Sequence, residues 1–295
     1  MTHLYLLLAI ALASGAAKTV LCKKIGMTTN GPADLLFYNS LTFAVIFLIT
    51  FVAWLINITG ISWFTVLLAL AFAAVNLIAQ TCNMQALKEG PMGVCVFLYS
   101  CGFVIAAFSG VLFWGEAFVW TQAAGVALLV ASFLLLLLLS EFKRKTLRMP
   151  HKRWIFFALL SMIASGGLGV IQKAHQSSAH RNELFAFLFI SFAAAGAFAF
   201  ALHLFLGPRS ARRCPASGSK LALLNGLAFG AVNILNLFLA GQLPSMVFFS
   251  VYNGGLIVVG AFVGVIFFQE KLKKYDIAGL TVGIAGILLI AMKPD

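Results

Sequence analysis

Of the 295 residues in this chain, 62% are hydrophobic and only 9% are charged, whereas a soluble domain is about half apolar and a quarter charged. The composition therefore describes an integral membrane protein with lipid as its surroundings. The net charge of +12 lies in short gaps between apolar runs rather than on a polar, solvent-facing surface, which argues against a nucleic-acid partner.

A spanning helix needs roughly 20 apolar residues, and ten such runs follow one another, at about 3–22, 34–56, 63–86, 91–114, 121–140, 154–173, 183–207, 221–242, 245–268 and 275–293. Before the first run, Met1-Thr2-His3 carries no Lys or Arg, and the charges Lys23 and Lys24 come after it. That order predicts a retained helix rather than a cleaved secretory signal. Turn residues separate the runs, as in Asn30-Gly31-Pro32, Lys88-Glu89-Gly90-Pro91 and Gly207-Pro208-Arg209. The basic stretch 141–153 is the one clear linker, so the chain divides into 1–140, a linker 141–153 and 154–295. Gly226 with Gly230, Gly260 with Gly264, and Gly279 with Gly283 are spaced so that helix backbones can approach closely. Packing inside the molecule is the favoured use, a dimer seam the alternative, so the chain is expected as a monomer or homodimer. Cys22, Cys82, Cys95, Cys101 and Cys214 form an odd set with no close Cys-x-x-Cys pair. Neither a disulfide framework nor a metal site is indicated, and no cofactor is expected.

The two parts are copies of each other. Pro91, Tyr99 and Gly102 recur as Pro244, Tyr252 and Gly255 at an offset of 153, while Gly110, Phe113, Glu116 and Gly125 recur as Gly264, Phe267, Glu270 and Gly279 at 154. One extra residue thus lies between Gly255 and Gly264, predicting a local irregularity in helix nine that helix four lacks. Leu70–Asn76 recurs as Leu227–Asn233, and Ala13-Ser14-Gly15 as Ala164-Ser165-Gly166. The loops after odd-numbered helices carry 16 of the 20 Lys and Arg residues, which by the positive-inside rule places them in the cytoplasm and both termini outside. Five helices per half then force the second copy upside down. The fold class is all-α integral membrane, with ten transmembrane helices as two inverted five-helix repeats, an architecture whose substrate site lies near the bilayer midplane between the repeats.

Over nearly its whole length the sequence resembles the drug/metabolite transporter superfamily, and within it the EamA-like ten-helix carriers. The residues that carry the likeness are Gly115-Glu116 with Gln122 and Gly125, and Gln269-Glu270 with Gly279, each after a helix that begins on proline. Gln269 is a departure, standing where a small residue is expected. The resemblance implies ATP-independent movement of a small metabolite through a cavity between the halves, and no P-loop is visible in the sequence.

Candidate substrate-binding residues follow from depth. Asn76 and Asn233 lie about 12 residues into helices three and eight, and Tyr99 and Tyr252 about 8 into helices four and nine, within roughly 5 Å of mid-bilayer. For the two asparagines, helix-to-helix hydrogen bonding and cavity lining stand level. For the tyrosines the cavity is favoured, because Ser100-Cys101-Gly102 and Asn253-Gly254-Gly255 open space beside each ring. Asn253, Asn39 and Gln80 join the set, with Asn83 and Asn236 behind them. Lys18 stands four residues before the end of the first run, where snorkelling to the interface competes with facing the cavity. Glu116 and Glu270 end their helices and are expected as interfacial carboxylates that cap or pair with groups such as Lys271, rather than as proton sites.

A transporter in the plasma (inner) membrane, taking a small polar or amphipathic metabolite, is the first reading. An intramembrane enzyme would need paired carboxylates, a histidine cluster or a Ser/His pair at membrane depth, and the sequence supplies none. A passive scaffold or subunit is the other alternative.

Overall fold

A computed structural model describes residues 2–116, 119–135, 153–206, 216–269 and 274–291, and the regular structure among them is helical. Ten helices appear among the described residues: α1 (Thr2–Thr28), α2 (Pro32–Ile56), α3 (Trp63–Glu89), α4 (Met92–Trp114), α5 (Trp120–Leu134), α6 (Arg153–Gln176), α7 (Leu184–Leu206), α8 (Ala216–Gln242), α9 (Ser245–Phe268) and α10 (Lys274–Ala291). Eight spans are long and apolar enough to cross a bilayer, while α5 and α10 contain shorter apolar helices. The ten predicted runs thus correspond to ten helices, in order. Most of the linker expected at 141–153 lies outside the described residues. Trp63, Trp120 and Phe205 are more than 80% exposed near helix ends, where aromatic rings suit the boundary between lipid and water. Leu48, Val52, Ile163 and Ile266, exposed along helix sides, face the position of the acyl chains.

The packing follows the repeat. α2 lies against α7, α4 against α9 and α5 against α10, so each of these helices touches its own copy. Most of the remaining contacts come in related pairs: α1 with α8 and α6 with α3, α2 with α8 and α7 with α3, α1 with α9 and α6 with α4. Between α2, α3, α7 and α8 the rings of Phe43, Phe72, Phe187, Phe192 and Phe229 interlock at centroid separations of 5.2 to 6.5 Å. Lipid supplies no hydrophobic drive between helices, so close backbone approach and buried hydrogen bonds carry the remaining seams. At the α5–α10 seam, a Cβ on Gly125 would stand 2.5 Å from the Gly286 carbonyl oxygen, and the Ser132 hydroxyl donates to the Gly279 carbonyl at 2.6 Å. A Cβ on Gly226 would stand 2.9 Å from the Thr42 carbonyl oxygen of α2, while Gly230 meets the Ile46 side chain of that helix at ordinary contact distance. These glycines are used inside the molecule.

Two expectations are corrected. α1 extends to Thr28, six residues past the run drawn at 3–22, because Lys23 and Lys24 continue the helix instead of ending it. The irregularity expected in α9 lies in α4, which divides at Gly102 into Met92–Cys101 and Phe103–Trp114, while α9 is continuous from Ser245 to Phe268.

Candidate functional site

The helices that meet at the centre bring polar side chains together around a cavity of about 80 Å³. Its wall is drawn from both halves: Lys18 and Thr19 of α1, Asn83 of α3, Tyr99 and Ser100 of α4, Gln172 of α6, Asn233 and Asn236 of α8, and Tyr252 and Asn253 of α9. That volume is far below the roughly 300–1,000 Å³ of drug-sized ligand sites, so the wall is drawn in around Lys18.

The extension of α1 decides the place of Lys18. It stands ten residues from the helix end, about 15 Å along the axis at 1.5 Å per residue, too far to snorkel out. It is 6% exposed, and its ammonium lies 4.3 Å from the Phe229 ring centre and 4.9 Å from that of Tyr99. Tyr252 is buried, 6% exposed, and lines the cavity beside Asn236. Asn233 and Asn253 each donate an amide N–H to a carbonyl one turn back, Phe229 O at 2.9 Å and Phe249 O at 2.8 Å. Ser100 Oγ and Asn236 Oδ1 are buried without a hydrogen-bond partner.

Three of the depth-based candidates do not line this cavity. Gln80 donates to Cys22 Sγ at 3.1 Å, which continues to Asn225 Oδ1 at 3.6 Å, a buried polar chain joining α3, α1 and α8. Asn39 donates to Thr81 Oγ1 at 3.0 Å. Asn76 is 1% exposed, and its amide atoms have no hydrogen-bond partner. Depth along a helix does not fix which way a side chain turns. The residues passed over, Thr19 and Gln172, carry a signal in hindsight: each lies three or four residues beyond a small residue, Gly15 or Gly169, that also lines the cavity.

Helix pairs related by the repeat, α6 with α4 and α1 with α9, meet on either side of the cavity along the helix axes. At the start of α9, the Glu116 carboxylate pairs with Lys173 Nζ at 2.9 Å and accepts from Ser245 N–H at 2.9 Å and Ser245 Oγ at 3.0 Å. A carboxylate there satisfies a free N–H and complements the helix dipole. Glu116 therefore caps a helix and pairs, its cation being Lys173 from α6. At the far end of α9, Lys23 Nζ lies 4.6 Å from the Phe268 ring centre, and Lys88 Nζ donates to Thr29 O at 2.7 Å. Glu270 and Lys271 lie outside the described residues.

The profile of the EamA-like transporter family matches residues 3–138 and again 152–292, one match in each half. The chain belongs to the EamA-like transporter family. EamA-like proteins are membrane transporters of the drug/metabolite type, not enzymes, and this one is a multi-pass integral membrane protein. No curated protein matches the sequence. Among solved structures, one described only as the crystal structure of a protein is 15% identical, with a TM-score of 0.62 over 95% of this chain and 96% of that one. At that identity the likeness shows the shared fold. In the EamA-like frame, Gly115-Glu116 follows α4, with Glu116 held by Lys173 of α6 and Ser245 of α9.

Proposed function

We propose that the protein moves a small polar or amphipathic solute across the plasma membrane by alternating access, without ATP, through the cavity between its two repeats. The observation that carries this reading is the pair of repeat-related contacts on either side of the cavity. α6 meets α4 where Lys173 holds Glu116, and α1 meets α9 near Lys23 and Phe268. Because the contacts are related by the repeat, loosening one opens the cavity at one end while the other holds. That is the geometry by which one repeat rocks against the other around a fixed site. The excess of basic residues in the odd loops supports an outward-facing position for the Glu116 end.

Tyr99, Tyr252, Asn233, Asn253 and Lys18 form the solute-binding wall in this reading, with Asn83, Asn236, Ser100 and Gln172 beside them. Among the described residues no Asp or Glu lines the cavity, which supports facilitated diffusion or solute exchange over proton antiport, since a proton-coupled site places a carboxylate where substrate and proton compete. Counterflow in proteoliposomes tests the proposal: saturable exchange without an imposed pH gradient is expected. Uptake that requires such a gradient, and is abolished by Glu116→Gln in folded protein, would relocate the coupling to the gate. A protein that exchanges no solute at all would be a scaffold.

A further inference from the structure

Lys18 is a buried basic residue at mid-membrane that no carboxylate among the described residues neutralises. Among the described residues it enters no salt bridge, and its ammonium has the rings of Tyr99 and Phe229 beside it. A ring face attracts a cation only modestly, by less than the cost of withdrawing an ammonium from water. The one described carboxylate beside α9, Glu116 at its Ser245 end, is already engaged by Lys173 and Ser245. An ionisable side chain at this depth marks a functional site with a partner to be named.

The surroundings identify the partner. The repeat mate of Lys18 is Gly169, where a Cβ would stand 2.5 Å from Ala106 Cβ and 3.3 Å from the Phe249 ring. Packing therefore confines the cation to one half of the cavity. The other half offers neutral amides from Asn233, Asn236 and Asn253, which cannot balance a charge. Compensation must arrive with the solute. A single ammonium matches a single negative charge, whereas a phosphate dianion would leave one charge uncompensated in a dry site. The ring faces beside the ammonium give a flat or apolar body a surface to lie on.

We infer that Lys18 anchors the carboxylate of the transported solute, and that the solute is an organic monocarboxylate with an uncharged, partly apolar body. The inference rests on the transport reading only in taking this cavity as the binding site.

The test uses acids and their amides, which differ in charge and little in shape: benzoate and benzamide, lactate and lactamide, N-acetylphenylalanine and its amide. Thermal stabilisation of the full-length protein in detergent reads binding, and counterflow in proteoliposomes reads transport. At least one acid is expected to stabilise the wild type at concentrations at least tenfold lower than its amide. Lys18→Gln should weaken that acid at least tenfold, while Lys18→Arg, which keeps the charge, should stay within tenfold of wild type. The inference is overturned if no acid binds, if acids bind no better than amides, or if monodisperse Lys18→Gln keeps the wild-type affinity. Should Lys18→Gln fail to purify, Lys18→Met and the acid-to-amide ratio of the wild type decide. Saturable exchange of amides but not acids removes the Lys18 assignment and leaves the transporter standing. Acids that bind through Lys18 and never exchange do the reverse.

Discussion

α4 and α9 are copies, yet one breaks and the other does not. Both follow a proline, Pro91 or Pro244, and both end in a left-handed residue whose N–H reaches back to a glycine carbonyl, Gly115 to Gly110 and Gln269 to Gly264. Between those landmarks α4 has 23 residues and α9 has 24. α4 makes up the difference by tightening at Gly102, whose N–H meets Tyr99 O at 3.3 Å and whose carbonyl accepts from Ile105 N–H at 3.0 Å. A turn closed over three residues uses fewer residues than an α turn. The Tyr99 carbonyl also accepts a hydrogen bond from Ser165 Oγ at 2.8 Å, so α6 supports the break.

The neighbour explains where the break falls. Gly102 lies against backbone, with a would-be Cβ 2.3 Å from Met162 O, and Gly166 faces the Gly102 carbonyl in return. Its copy Gly255 meets only the Leu12 side chain, and Gly15, the copy of Gly166, meets Leu256 and the Tyr252 hydroxyl. The α4–α6 seam is backbone on backbone, while the α1–α9 seam is spaced by leucines. Two halves with one repeated pattern thus hold different conformations.

The largest expected effect separates those seams. Gly102→Ala drives a methyl into a fixed carbonyl and should cost about 3 kcal/mol, at the upper end of overpacking. Gly255→Ala presses on the flexible end of Leu12 and should cost about 1 kcal/mol. Apparent melting temperatures of the detergent-solubilised variants measure both, and equal losses would break the comparison.

The next effect concerns the brace. Glu116→Gln removes the charge from contacts with Lys173 and Ser245 and should cost about 2 kcal/mol, the scale of hydrogen bonds to charged groups. Lys173→Met should act through the same contact, so the double variant should lose less than the sum of the singles. Labelling of Ser100→Cys in a cysteine-free background should speed up in Glu116→Gln, because the Ser245 end loosens. Unchanged labelling would show that the brace stabilises the fold without controlling access.

The fold and its internal copies were legible because hydrophobic run length, proline starts and glycine spacing are strong signals in a membrane chain. The limits show at particular residues. Lys23 and Lys24 look like the end of a span, and that hid the depth of Lys18; whether a charge ends a helix depends on what its side chain can reach, here the Phe268 ring. The one-residue difference between the copies was visible, but an alignment cannot say whether the longer copy bulges or the shorter one tightens; Gly166 settles that through tertiary contact. Asn76 and Asn233 are equal in sequence and depth, yet Asn233 lines the cavity and Asn76 does not, because the α3 and α8 environments differ.

The smallest effect tests the one place where the shared exit of the two helices is chemically unequal. Gly115 adopts φ 63° at no steric cost, whereas Gln269 adopts φ 51° and ψ 32° with a side chain. An L-residue in that region costs roughly 1–2 kcal/mol, and glycine gives back about 0.5–1 kcal/mol through its freer unfolded chain. Gln269→Gly should therefore stabilise the protein by up to about 1 kcal/mol, and Gly115→Gln should destabilise it by a similar amount. In a chain of this size such a change moves the melting temperature by about 2–4 °C. The exchanged double variant should melt near the wild type, since the two turns share their hydrogen-bond geometry. A drop in melting temperature for Gln269→Gly would mean that the glutamine side chain contributes more than its backbone strain, and that the turn after α9 is held by contacts which the turn after α4 does not have.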